Sequence, residues 1–140
     1  MVMEQLAVEI VGLCREYGEC RGEGERMEEA RRVKNALESV CAMARQRLDI
    51  SDPALLLALL DACEVTRDEG MLQEVLDVVG RNLDRLAVSA ESVKLLACCY
   101  YYVEEEECVE RAGRMLEELR KMGRGEEELA DVETILEELT

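Results

Sequence analysis

The chain has 140 residues, of which 49% are apolar, with one proline, four tyrosines and no phenylalanine, tryptophan or histidine. So much apolar content excludes intrinsic disorder. A core limited to Leu, Val, Ile, Ala, Met and Cys, with so little turn punctuation, points to helices rather than strands. The formal net charge of −16 repels phosphate backbones and anionic lipid headgroups, so neither nucleic acid nor membrane is an expected partner.

From the first residues, apolar side chains recur at helical spacing: Met3, Leu6, Ile10, Leu13 and Tyr17 fall on one side of a helix. Gly18, Gly22 and Gly24 are expected to end it. Ala30, Val33, Leu37, Val40, Ala44 and Leu48 mark a longer second helix, with Glu28, Glu29, Arg31, Arg32 and Lys34 around its remaining face. The third has the clearest start. Asp52 caps it, and Pro53 fits the first helical position, where a missing N–H costs nothing.

Leu56, Leu59, Leu60 and Cys63 form the third stripe. Residues 66–70 are read as a break, and Leu72, Leu76, Val79, Leu83 and Leu86 as the fourth stripe. Ser89 is placed to cap a fifth helix, with Val88 and Val93 as a hydrophobic staple and a stripe of Val93, Leu96, Ala97, Tyr100 and Val103.

No glycine or proline separates Val103 from Val109, so helical phase decides. Continuing the fifth stripe would reach Glu107, Arg111 and Arg114, whereas the apolar set is Val109, Ala112, Leu116 and Leu119. The shift of roughly a third of a turn places a turn near residues 104–107; a single helix of about 33 residues is the alternative. Gly123 and Gly125 close that segment. Leu129, Val132, Ile135, Leu136 and Leu139 form a last amphipathic helix. The fold class is therefore all-α, in one domain over residues 1–140: about seven antiparallel helices joined by short loops and stacked as hairpins.

The third and fifth helices share a pattern. Leu56, Leu59, Leu60 and Cys63 recur 37 residues later as Val93, Leu96, Ala97 and Tyr100. The fourth and sixth align at a different offset, with Val79-Gly80-Arg81-Asn82-Leu83-Asp84-Arg85-Leu86 parallel to Ala112-Gly113-Arg114-Met115-Leu116-Glu117-Glu118-Leu119. Over roughly residues 53–120 the chain resembles a short tetratricopeptide array with a solvating last helix. Val93, Leu96, Ala97 and Tyr100 match that family's large, large, small and aromatic set. Two features depart from it: Leu72 and Val109 stand where a small residue is the rule, and no proline closes either unit. The resemblance implies a scaffold built of helical hairpins; a non-repeat helical bundle is the other architecture open at this point.

Cysteine and charge patterns bound the chemistry. Cys14, Cys20, Cys41, Cys63, Cys98, Cys99 and Cys108 form no C-x-x-C pair, and without histidine there is no mixed zinc site. Glu4 and Glu9 interrupt the apolar start and no basic residue precedes it, unlike a secretory leader. The longest uncharged apolar run, residues 95–103, is too short for a membrane span. These features lead to the expectation of a cytoplasmic protein whose buried cysteines pack as small hydrophobes. The absence of histidine also removes the common nucleophile–base pairs and the Glu-x-x-His di-iron motif, and no phosphate-cradling glycine loop is present. No cofactor is expected, and the chain reads as non-enzymatic.

An alternative rests on Glu107-x-x-Glu110 followed by Glu128-x-x-Asp131. That pattern resembles the all-α nucleoside triphosphate pyrophosphohydrolases, in which such carboxylates hold Mg²⁺ between helices. Here Glu107 and Glu110 flank the apolar stripe, which turns them toward water.

The other notable segment is Cys98-Cys99-Tyr100-Tyr101-Tyr102. Three consecutive tyrosines sit 100° apart on a helix, so at least one must reach the surface, where amphipathic rings serve as binding anchors. Residues 101–140 carry 14 acids against 5 bases, compared with 10 against 8 over residues 1–50 and 9 against 4 over residues 51–100. The partner-binding candidates are accordingly Tyr101, Tyr102, Glu104, Glu105 and Glu106, facing a protein or peptide with a basic surface. Self-association through an apolar stripe of the first or last helix is a further expectation.

Overall fold

A computed structural model describes residues 3–21, 26–123 and 126–139. Among them the regular structure is entirely helical: α1 (Met3–Arg21), α2 (Met27–Arg45), α3 (Pro53–Thr66), α4 (Glu69–Arg81), α5 (Ala90–Val103), α6 (Glu106–Lys121) and α7 (Glu126–Leu139), with a short 3-10 turn at Leu83–Arg85. The chain divides into two compact units, Met1–Val75 and Leu76–Thr140. No helix among the described residues is long and apolar enough to cross a membrane.

In the first unit α1 packs on both α2 and α3, and α2 also meets α3. Leu6, Ile10, Leu37, Leu55, Leu56 and Leu59 are shut off from solvent. Helix α3 is apolar nearly all round, as a helix covered on several sides must be. Its start follows the expected chemistry: the Asp52 side chain accepts from the Leu55 N–H at 3.1 Å, and Pro53 occupies the first turn. In the second unit α5 packs on α6 and α7, which also meet each other. Val93, Leu96, Ala112, Met115 and Val132 supply that core. Ser89 caps α5 by accepting from the Ser92 N–H at 3.1 Å.

Several boundaries depart from the sequence reading. Gly18 does not end α1, which runs on to Arg21. Cys20 in the next turn is buried, and that burial outweighs the roughly 1 kcal/mol a mid-helix glycine costs. Gly22, Gly24 and Gly125 lie outside the described residues. Helix α2 stops at Arg45, which leaves Leu48 half-buried beyond it.

The break after α3 is only Arg67 and Asp68, with Glu69 and Gly70 already helical. Asp68 explains the early restart: its Oδ1 accepts from the Met71 N–H at 3.0 Å and caps α4. Helix α4 buries Met71, Val75 and Val79, while Leu72 and Leu76 are half-buried on its flank. Leu83 and Leu86 lie beyond its end. There the Asn82 side chain donates to the Val78 carbonyl at 2.7 Å and the chain tightens into the 3-10 turn.

Helix α6 buries Cys108, Ala112, Met115, Leu116 and Leu119, with Val109 half-buried beside them. The buried positions of α4 and α6 share one spacing. Met71, Val75 and Val79 match Cys108, Ala112 and Leu116 at the same 37-residue spacing as the preceding helices. The 33-residue alignment slips by four positions, close to one helical turn, and beyond Arg81 it sets the 3-10 turn against residues inside α6.

Candidate functional site

The candidate residues fall at the tip of the α5–α6 hairpin. Helix α5 is buried through Cys99, after which its cover ends: Tyr100 is half-buried, Tyr101 exposed, Tyr102 half-buried and Val103 exposed. Tyr101 keeps 69% of its surface in water, the position that the 100° spacing requires of one ring in three. The Tyr101 and Tyr102 rings meet edge to face, with centroids 5.3 Å apart and planes at 87°. This is the arrangement that ring quadrupoles favour.

The next residues turn the chain sharply. Glu104 is left-handed, with φ 52°, and donates its N–H to the Tyr100 carbonyl at 2.8 Å. Glu105 is extended and precedes α6, and the Cys108 N–H donates to its carbonyl at 3.1 Å. Glu106 and Glu107 form the first turn of α6, where the helix dipole favours negative charge. Glu104, Glu105, Glu106, Glu107 and Glu110 are all exposed. The five candidate residues thus fall in one short segment, an aromatic pair followed after Val103 by exposed carboxylates.

The cysteines beside the tyrosines behave as core. Cys99 is buried and its thiol is pushed up to about 12, first by loss of hydration and then by Cys108, Cys98 and Glu105 nearby. Burial likewise raises the Cys108 thiol, with Glu105 and Glu107 adding to the effect. A thiol that resists ionisation is a poor nucleophile and a poor metal ligand. In the first unit Cys41 and Cys63 are buried and raised to about 12, and Cys14 to about 11, in each case mainly by burial. No disulfide joins any of the seven.

For the Mg²⁺ alternative, Glu107, Glu110 and Asp131 are all exposed, and the side chain of Glu128 lies outside the described residues. No group of three or more His, Cys, Asp or Glu side chains among the described residues is arranged to hold a metal ion.

One polar cluster was not legible in the sequence. The Arg45 guanidinium, at the end of α2, donates Nε to Glu74 Oε2 at 2.9 Å and Nη2 to Oε1 at 2.6 Å, while Nη1 reaches Asp68 Oδ2 at 3.4 Å. Asp68 thus caps α4 with one oxygen and meets Arg45 with the other. The two partners of Arg45 lie 23 and 29 residues beyond it in sequence, a separation that no local spacing rule reaches. Arg111, half-buried on α6, carries a buried Nε with no hydrogen-bond partner among the described residues. No family model, curated protein or solved structure matches this chain.

Proposed function

We propose that this protein is a non-enzymatic interaction module, a short stack of helical hairpins of tetratricopeptide-like type, which docks a basic protein or peptide at the tip of α5 and α6. The observation that carries the reading is Tyr101, 69% exposed at the end of α5 and followed within three residues by a run of exposed glutamates. An exposed ring supplies contact area at little entropic cost, and the carboxylates supply steering and selectivity for positive charge. The 37-residue correspondence of caps, left-handed residues and buried stripes in α3–α4 and α5–α6 supports the hairpin-repeat part of the reading. Buried cysteines whose thiols stay protonated suit a reducing compartment, and the cytoplasm is the location this reading assigns.

The test pairs wild type with the double variant Tyr101→Ala, Tyr102→Ala. Each is used to capture partners from native lysate at low and high salt, with helicity followed by circular dichroism. A stoichiometric basic partner held by wild type, released by salt and lost in the helical double variant is the expected result. Equal capture by both proteins would reject this surface.

A further inference from the structure

We infer that the group recognised at this tip is an arginine guanidinium of the partner, stacked on the Tyr101 ring and paired through its edge with carboxylates of residues 104–106. The inference rests on the interaction reading above and narrows it to one side-chain chemistry.

The rings supply the first half of the argument. Planes at 87° and centroids 5.3 Å apart set Tyr101 and Tyr102 edge to face. One ring points its edge at the face of the other, and the faces of the edge-on ring stay clear of that contact. Ring faces carry the negative part of the quadrupole and attract a cation that comes within about 6 Å of the centroid. Tyr101 is the open ring, since most of its surface is already in water.

The carboxylates supply the second half. Val103 is the last residue of α5, and Glu104, Glu105 and Glu106 follow it on the surface. A ligand group that meets Tyr101 and these carboxylates together needs an apolar face for the ring and hydrogen-bond donors for the glutamates. An ammonium is a compact, strongly hydrated point charge and satisfies one demand at the expense of the other. A guanidinium satisfies both, because it is planar and weakly hydrated on its faces while its N–H donors all lie in the plane. Exposed Val103 adds apolar surface along which the methylene stem of an arginine can lie.

The probes are two basic peptides of equal length and charge, identical except that one carries arginine wherever the other carries lysine. Binding is followed through the tyrosine ring resonances of the full chain at low salt. The expected result is arginine binding roughly fivefold tighter than lysine. Tyr101→Phe should keep that preference, because the ring face is retained. Tyr101→Ala should erase it and leave both peptides at the weaker level. Equal affinity for the two peptides, with both weakened by Tyr101→Ala, would overturn the guanidinium assignment while leaving the interaction reading in place. Failure of both peptides to bind wild type would overturn the two together, and a preference for arginine that survives Tyr101→Ala would remove the ring from the site.

Discussion

Arg67 and Glu104 stand 37 residues apart, and each is the left-handed residue that ends a 14-residue helix. Their N–H groups donate to the carbonyls of Cys63 and Tyr100, both at 2.8 Å. A single hydrogen bond of this kind closes the helix, and only two residues separate it from the next one. Neither residue is glycine, so both turns accept a backbone conformation that L side chains disfavour. Glu104 thereby becomes part of the acidic tip.

Because Arg67 is not one of the candidate binding residues, it gives a clean measure of that cost. Arg67→Gly is expected to raise stability by up to about 1 kcal/mol in urea unfolding, since glycine takes positive φ without steric penalty. Arg67→Pro is expected to lose more than that, because proline cannot take φ 59° and has no N–H to give Cys63. A neutral proline substitution would mean that the αL closure contributes nothing.

The Arg45–Glu74 pair gives an acid-side prediction. The Arg45 hydrogen bond holds the Glu74 carboxyl below its ordinary 4.5, outweighing a small opposing effect of burial. A carboxyl depressed in the folded state contributes stability above its unfolded value and loses it as the pH falls through the folded one. The contribution is therefore complete above about pH 4.5 and fades below it. With both side chains partly in water, Arg45→Ala should cost no more than about 1 kcal/mol at low salt and less at high salt. Thermal melts across the acid range would register both effects.

Alkaline pH should act through the buried thiols. Cys41, Cys63 and Cys99 are raised from 9.0 to about 12 in the folded chain. Unfolded thiols ionise first, so stability should begin to fall as the pH passes 9.0 and continue falling toward 12. The slope approaches about 1.4 kcal/mol per pH unit for each thiol ionised only in the unfolded chain. Replacing Cys99 with alanine should flatten it. A stability plateau through this range would contradict the assigned burial.

Core and tip should separate cleanly in stability measurements. Leu96 is fully buried, so Leu96→Ala is expected to cost about 2–5 kcal/mol in chemical denaturation. Tyr101→Ala removes a mostly exposed ring and should stay within about 0.5 kcal/mol of wild type. A large loss at Tyr101 would make the ring structural rather than available to a partner.

The helices were readable wherever capping residues and apolar spacing agreed, as at Asp52-Pro53 and at Ser89. Helical phase alone placed a turn near residues 104–107, because continuing the α5 stripe would have buried charge; the structure confines it to residues 104–105. Readings failed where two faces competed. Leu72 and Leu76 looked like the α4 stripe, but Met71 and Val75 are the more deeply buried, and only tertiary cover decides between neighbouring arcs of an apolar helix. Gly18 misled because glycine is a weak stop signal when the next turn buries a side chain. At the tip, spacing placed one tyrosine in water, whereas the perpendicular contact of the two rings and the left-handed Glu104 required coordinates.

The most direct measurement of the interaction claim is a titration of the isotope-labelled full chain with an arginine-rich peptide at low salt, following backbone and tyrosine-ring resonances. The account predicts salt-sensitive shifts concentrated on Tyr101, Tyr102 and residues 104–107. Shifts spread evenly over the acidic surface, or confined to residues 3–75, would contradict it.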